Sequence, residues 1–175
     1  MTSQSQMHML GTASPTGHLL TTLCVALVSI LIVSWHQLGD PFVRHDDYPA
    51  LLGLHDEFYI KTLEEGRWVN YWWMKRPWLW SSQVNFYAYL LGWASFSAAF
   101  AANALGPSAS LVWRGALAVL VVLTPQAVNI SQWYNTLIPG VWILAIYGVF
   151  CLYLPWRWSL ALLLVFAPLS FSAYT

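Results

Sequence analysis

Three polar clusters interrupt an otherwise apolar chain, and each has residue types that could do chemistry. The first is His45-Asp46-Asp47. A carboxylate at an apolar boundary has its pKa raised towards a useful range and can take a proton from an acceptor hydroxyl. A structural account covers the same residues, with Asp47 capping the next helix and Asp46 simply solvated. A divalent cation could bridge both carboxylates, but two adjacent Asp are a weak metal signal, and no other cofactor is implied.

The second cluster is Gly66-Arg67-Trp68, followed by Lys75-Arg76. The planar fork of an arginine can grip a phosphate and neutralise a leaving group as a glycosyl–phosphate bond breaks. Arg67 could equally hydrogen-bond the last carbonyls of a helix ending at Gly66, and Lys75 and Arg76 could be ordinary headgroup contacts. The third cluster is Asn129-Ile130-Ser131-Gln132-Trp133-Tyr134-Asn135. Amides and rings such as Asn129, Tyr134 and Asn135 can hydrogen-bond and stack on a sugar, and a polar turn between two spans would use the same residues. Asn129-Ile130-Ser131 also matches a glycosylation sequon, a frequent chance match. His36 and His45 lack the spacing of a two-histidine metal site.

The composition says what must position these clusters. Of 175 residues, 58% are hydrophobic and only 8% are charged, against roughly 25% charged in soluble domains. So few charges cannot solvate a globule, and an all-α integral membrane protein is expected, with lipid as solvent for most of the chain. The net charge of zero gives no electrostatic case for nucleic acid. Twelve Trp and nine Tyr suit the two membrane interfaces. Cys24 and Cys151 fall in apolar runs and are expected to be small buried hydrophobes.

About five apolar runs approach spanning length, which needs about 20 residues each. They are residues 19–37, 84–105, 111–130, 137–154 and 159 to the terminus, with Pro125 expected to kink or end the third. The first seventeen residues have no Lys or Arg, so the first run is read as a retained span and not a signal peptide. Residues 1–175 form one transmembrane domain whose long external loop, residues 38–82, holds all seven acids. Within that loop Asp47, Pro49 and Gly66 mark an amphipathic surface helix, and the aromatic residues from Trp68 to Trp80 mark a second interfacial segment.

Arg114 and Arg157 lie on one side by parity, whereas the five basic residues of the long loop favour keeping that loop on the same side, so charge alone leaves orientation open. The sequence has no phosphate-binding glycine loop, His-Glu-x-x-His, Cys-x-x-Cys or nucleophile elbow. Apart from Arg114 near the start of the third run, no charge falls within the spans, which argues against a pump or ion channel.

The order of features resembles the GT-C class of polytopic glycosyltransferases, and within it the glucosyltransferase family that modifies bacterial O-antigen, part of lipopolysaccharide. The resemblance is carried by Asp46-Asp47-Tyr48 with Gly66-Arg67-Trp68, by Pro125 through Asn129-Ile130-Ser131 and Tyr134-Asn135, and by Leu169-Ser170 through Ala173-Tyr174. It implies inverting transfer of a sugar, glucose being the expected one, from a polyprenyl-phosphate donor to a surface polysaccharide. The base would be Asp46 or Asp47, and Arg67, Lys75 and Arg76 would contact the phosphate. Trp68, Asn129, Tyr134 and Asn135 are the remaining candidate substrate contacts. The resemblance also puts the protein in the bacterial inner membrane with the long loop in the periplasm. Enzymes of this class have more than five spans, so the chain is expected to be an N-terminal part or a shortened relative. The alternative is a non-enzymatic membrane protein that binds a larger glycan-assembly enzyme as its partner and modulates it.

Overall fold

The structure is a computed structural model that describes residues 15–43 and 58–173. His45, Asp46 and Asp47 lie outside the described residues, as do the expected first turns of the surface helix. Every regular element among the described residues is helical: α1 (Pro15–Val33), α2 (Phe58–Glu64), α3 (Trp68–Met74), α4 (Ser82–Leu105), α5 (Leu111–Val122), α6 (Pro125–Ile130), α7 (Tyr134–Tyr153) and α8 (Trp156–Ala173). Single 3-10 turns follow α1 and α6.

Three helices are long and apolar enough to cross a membrane: Ser82–Leu105, the α6–α7 continuation Ala127–Tyr153, and Trp156–Ala173. The other two expected spans are shorter apolar helices, Gly17–Val33 and Leu111–Val122. Pro125 explains the second of these. It has no N–H to donate to Val121, and its ring would crowd that carbonyl. The helix stops at Val122 and restarts with Thr124 as N-cap, its hydroxyl accepting from the Ala127 N–H at 3.3 Å and Pro125 in the first turn. What read as one run over 111–130 is therefore two helices.

Polar residues inside the apolar helices satisfy themselves locally. The hydroxyls of Thr21, Thr22 and Ser29 donate to carbonyls four residues earlier, as do those of Ser95 and Ser97 in α4. Helix α4 is central. Its Phe86, Tyr89, Leu90 and Ala94 share a core with Ala26 and Ile30 of α1, Ala118 and Val122 of α5, and Tyr134 to Val141 of α7.

Small residues set the closest approach. A Cβ on Gly92 would stand 3.0 Å from Val141 and Trp142, and one on Gly148 would stand 3.0 Å from Ala99. Helices α4 and α7 run parallel, Trp142 Nε1 donating to Ala88 O near one end and Asn103 Nδ2 to Gly148 O near the other. Helix α8 folds back along α7, where Phe166 meets the rings of Tyr147 and Phe150. It leaves Leu160, Leu164, Val165 and Phe171 on an outer surface. Cys24 is exposed as well, on the apolar outer face of α1, so burial was the wrong expectation for it.

Candidate functional site

The described part of the long loop is anchored at one end of the α4–α7 pair. Helix α2 ends in a left-handed turn at Gly66 (φ 79°), with the Gly66 N–H bonded to Leu63 O and the Arg67 N–H to Thr62 O, both at 3.0 Å. This pairing satisfies the last carbonyls of the helix through main-chain groups and leaves the Arg67 side chain free to point elsewhere. Its guanidinium pairs with Glu65 at 2.9 Å, and about a third of each side chain is exposed.

Past α3, Arg76 turns inward and is only 5% exposed. Its Nη1 donates to Trp73 O at 2.9 Å, and its Nη2 to the side-chain oxygens of Asn85 and Asn135, both at 3.2 Å. The guanidinium lies 4.1 Å from the Trp73 ring centroid and 5.9 Å from that of Trp80. A buried cation needs such oxygens and ring faces to offset its lost hydration.

The acceptors are themselves fixed. Asn85 donates to Trp80 O and Ser81 O at 3.2 Å, while Asn135 takes the Trp73 indole N–H on its main-chain oxygen at 2.8 Å. Next to them the Tyr134 and Ser82 hydroxyls share a hydrogen bond, and the Tyr134 ring stands edge-on to Phe86. The cluster ties α3 to the starts of α4 and α7.

A groove of about 790 Å³ opens between α4, α7 and α8, with Glu65, Gly66 and Arg67 in its lining. Its walls are apolar and aromatic: Trp93 and Phe96 from α4, Leu144 and Tyr147 from α7, and Leu163, Phe166 and Phe171 from α8. The Trp93 indole nitrogen is buried and has no hydrogen-bond partner, unlike those of Trp73 and Trp142. A buried donor left in that state carries a cost of roughly 1–3 kcal/mol.

The structure therefore brings Arg76, Tyr134 and Asn135 together, and sets Arg67 apart on the groove. Lys75 is exposed, its ammonium bonded to the Tyr71 hydroxyl at 2.9 Å and 4.9 Å from that ring centroid. Trp68 and Asn129 are also exposed, Trp68 opening α3 directly after Arg67. Ser131 of the sequon is buried and donates to Val128 O. No cluster of His, Cys, Asp or Glu suited to a metal occurs among the described residues.

Sequence reasoning missed Asn85 and the groove. An amide as the second residue of an apolar run was the one available sign of the first. The groove walls, made of ordinary span residues, gave none. Comparison with family models, with curated proteins and with solved structures finds no match for this chain.

Proposed function

We propose that this is a multi-pass protein of the bacterial inner membrane, and a GT-C-type glycosyltransferase or the catalytic-loop module of one. On this reading it moves a sugar, glucose being the expected one, from a polyprenyl-phosphate donor to a surface polysaccharide such as O-antigen. The observation that carries the reading is the groove. An aromatic, apolar channel with an arginine in its lining matches a long prenyl chain bearing a phosphate.

Membrane insertion is supported by two sets of exposed aromatics. Trp113, Tyr153, Trp156 and Trp158 lie at one end of the long helices, and Trp35, Trp68, Trp72 and Trp78 at or beyond the other. Arg114 and Arg157 fall with the first set, which agrees with the orientation that the GT-C resemblance implies, that end in the cytoplasm and the long loop in the periplasm.

In the proposed reaction Asp46 or Asp47 takes the proton from the acceptor hydroxyl. The hydroxyl oxygen forms its bond to the anomeric carbon as the carbon–oxygen bond to phosphate breaks, with inversion, and the electron pair leaves with the polyprenyl phosphate. Arg67 holds the phosphate and balances its growing charge. Trp68, Lys75 and Asn129 are the other candidate contacts, and Arg76, Tyr134 and Asn135 hold the loop in place.

The test is the composition of surface polysaccharide in cells carrying the intact gene, Asp46→Asn, Asp47→Asn or both substitutions, with membrane fractionation alongside. Loss of the transferred sugar with normal insertion is expected; full transfer by the double variant defeats the carboxylate-base assignment. The outward apolar face of α8 favours a second reading, a non-enzymatic membrane protein seated on a larger glycan-assembly enzyme. That reading predicts co-purification with the enzyme and an effect insensitive to both Asp substitutions.

A further inference from the structure

The groove carries its own anion beside its cation. Glu65 and Arg67 flank the left-handed Gly66, and the helix-ending main-chain bonds to Leu63 O and Thr62 O hold both of them in the groove lining. Glu65 Oε2 lies 2.9 Å from Arg67 Nη2, so one arm of the guanidinium fork already has a carboxylate on it. The pair is about one-third exposed, and exposed pairs of this kind are weak. A phosphate monoester carries more charge than a carboxylate and matches the fork in two places, so it can displace Glu65.

We infer that Glu65 is a built-in competitor for Arg67, so that a prenyl phosphate binds by exchanging its phosphate for the Glu65 carboxylate. The inference rests on the reading of the groove as a lipid-phosphate site, and goes beyond it by giving the exchange a named residue. The competition lowers affinity for any phosphate-bearing lipid while leaving the apolar walls untouched. It therefore favours ligands that have both the phosphate and a chain long enough to fill the space between Trp93, Phe96, Leu163 and Phe166. It also provides a route for release, because the carboxylate can retake the guanidinium as the spent carrier phosphate leaves.

The experiment is a titration of the purified full chain, in a neutral maltoside detergent, with farnesyl phosphate and separately with farnesol. Wild type, Glu65→Gln, Arg67→Gln and the double variant are compared by thermophoresis. Glu65→Gln is expected to tighten farnesyl phosphate by about two- to five-fold, the range of an exposed ion pair, and to leave farnesol unchanged. Arg67→Gln is expected to weaken farnesyl phosphate by about ten-fold or more, and in that background Glu65→Gln should have no further effect.

If Arg67→Gln weakens the phosphate but Glu65→Gln leaves it unchanged or weakens it too, the competitor is overturned while the lipid-phosphate groove stands. Equal binding of both ligands, unmoved by Arg67→Gln, removes the phosphate from Arg67 and the inference with it. If neither ligand binds wild type, the groove reading itself falls.

Discussion

Arg67 and Arg76 stand at the two ends of α3, in the same aromatic stretch of the same loop, and have opposite surroundings. Arg76 is 5% exposed, donates to three protein oxygens and lies against the rings of Trp73 and Trp80. Arg67 has a third of its side chain exposed, a weak carboxylate partner in Glu65, and an apolar groove beside it. The difference arises from the path of the chain beyond each residue. After Arg76 the chain runs directly into α4, whose Asn85 reaches back to it, so the guanidinium is enclosed by the turn it helps to form. After Arg67 the chain enters α3, and the backbone bonds of the preceding turn are already complete without its side chain. A cation enclosed by several protein oxygens and ring faces suits a structural role, whereas one held at the surface by an exchangeable anion can accept a ligand.

The sharpest way to break this comparison is to remove Arg76. Arg76→Ala leaves the Asn85 and Asn135 side-chain oxygens without their shared donor inside a buried site. At roughly 1–3 kcal/mol for each of these two groups, the expected loss is about 2–6 kcal/mol. Thermal unfolding of the purified protein in detergent should show a fall of several degrees, with the aromatic stretch of the loop becoming protease-sensitive. Arg76→Lys should recover only part of this, because a single ammonium cannot serve Trp73 O and both amides from one planar fork. An unfolding temperature unchanged in Arg76→Ala would remove the structural role and return Arg76 to the set of phosphate contacts.

The sequence was most readable where a single residue dictates the backbone. Gly66 as a helix stop and Pro125 as the break in an apolar run come from φ preference and a missing N–H, and both are seen in the structure. The long apolar run that became α4 was equally plain. The roles of the basic residues were not readable, because they depend on partners far along the chain. Asn135 meets Arg76 only because α4 and α7 run parallel and start at the same level, and no periodicity encodes that pairing. The groove was hidden for the same reason. Trp93, Tyr147 and Phe166 each sit in a different apolar run, and only the packing of α8 along α7 makes them one surface.

A middle-sized effect is expected at the hinge between the two arginines. Gly66→Ala places a Cβ at φ 79° with open space around it, so the cost is backbone strain alone, about 1–2 kcal/mol. Unfolding should shift down by a few degrees. Farnesyl phosphate binding should weaken as well, because the turn at Gly66 sets both Glu65 and Arg67 against the groove. A stability loss with unchanged lipid binding would mean that the turn does not position the pair.

The smallest stability effect should come from Arg67 itself. Arg67→Gln removes one exposed ion pair, worth about 0–1 kcal/mol, and leaves the N–H bond to Thr62 O in place because that bond belongs to the main chain. Little or no change in unfolding temperature is therefore expected from the same substitution that lowers prenyl phosphate affinity most. Stability and binding would then respond in opposite order at the two arginines, Arg76 governing the first and Arg67 the second. A loss at Arg67 as large as that at Arg76 would place both in the scaffold. The groove would then have no cation left for a phosphate, since the rest of its described lining has none.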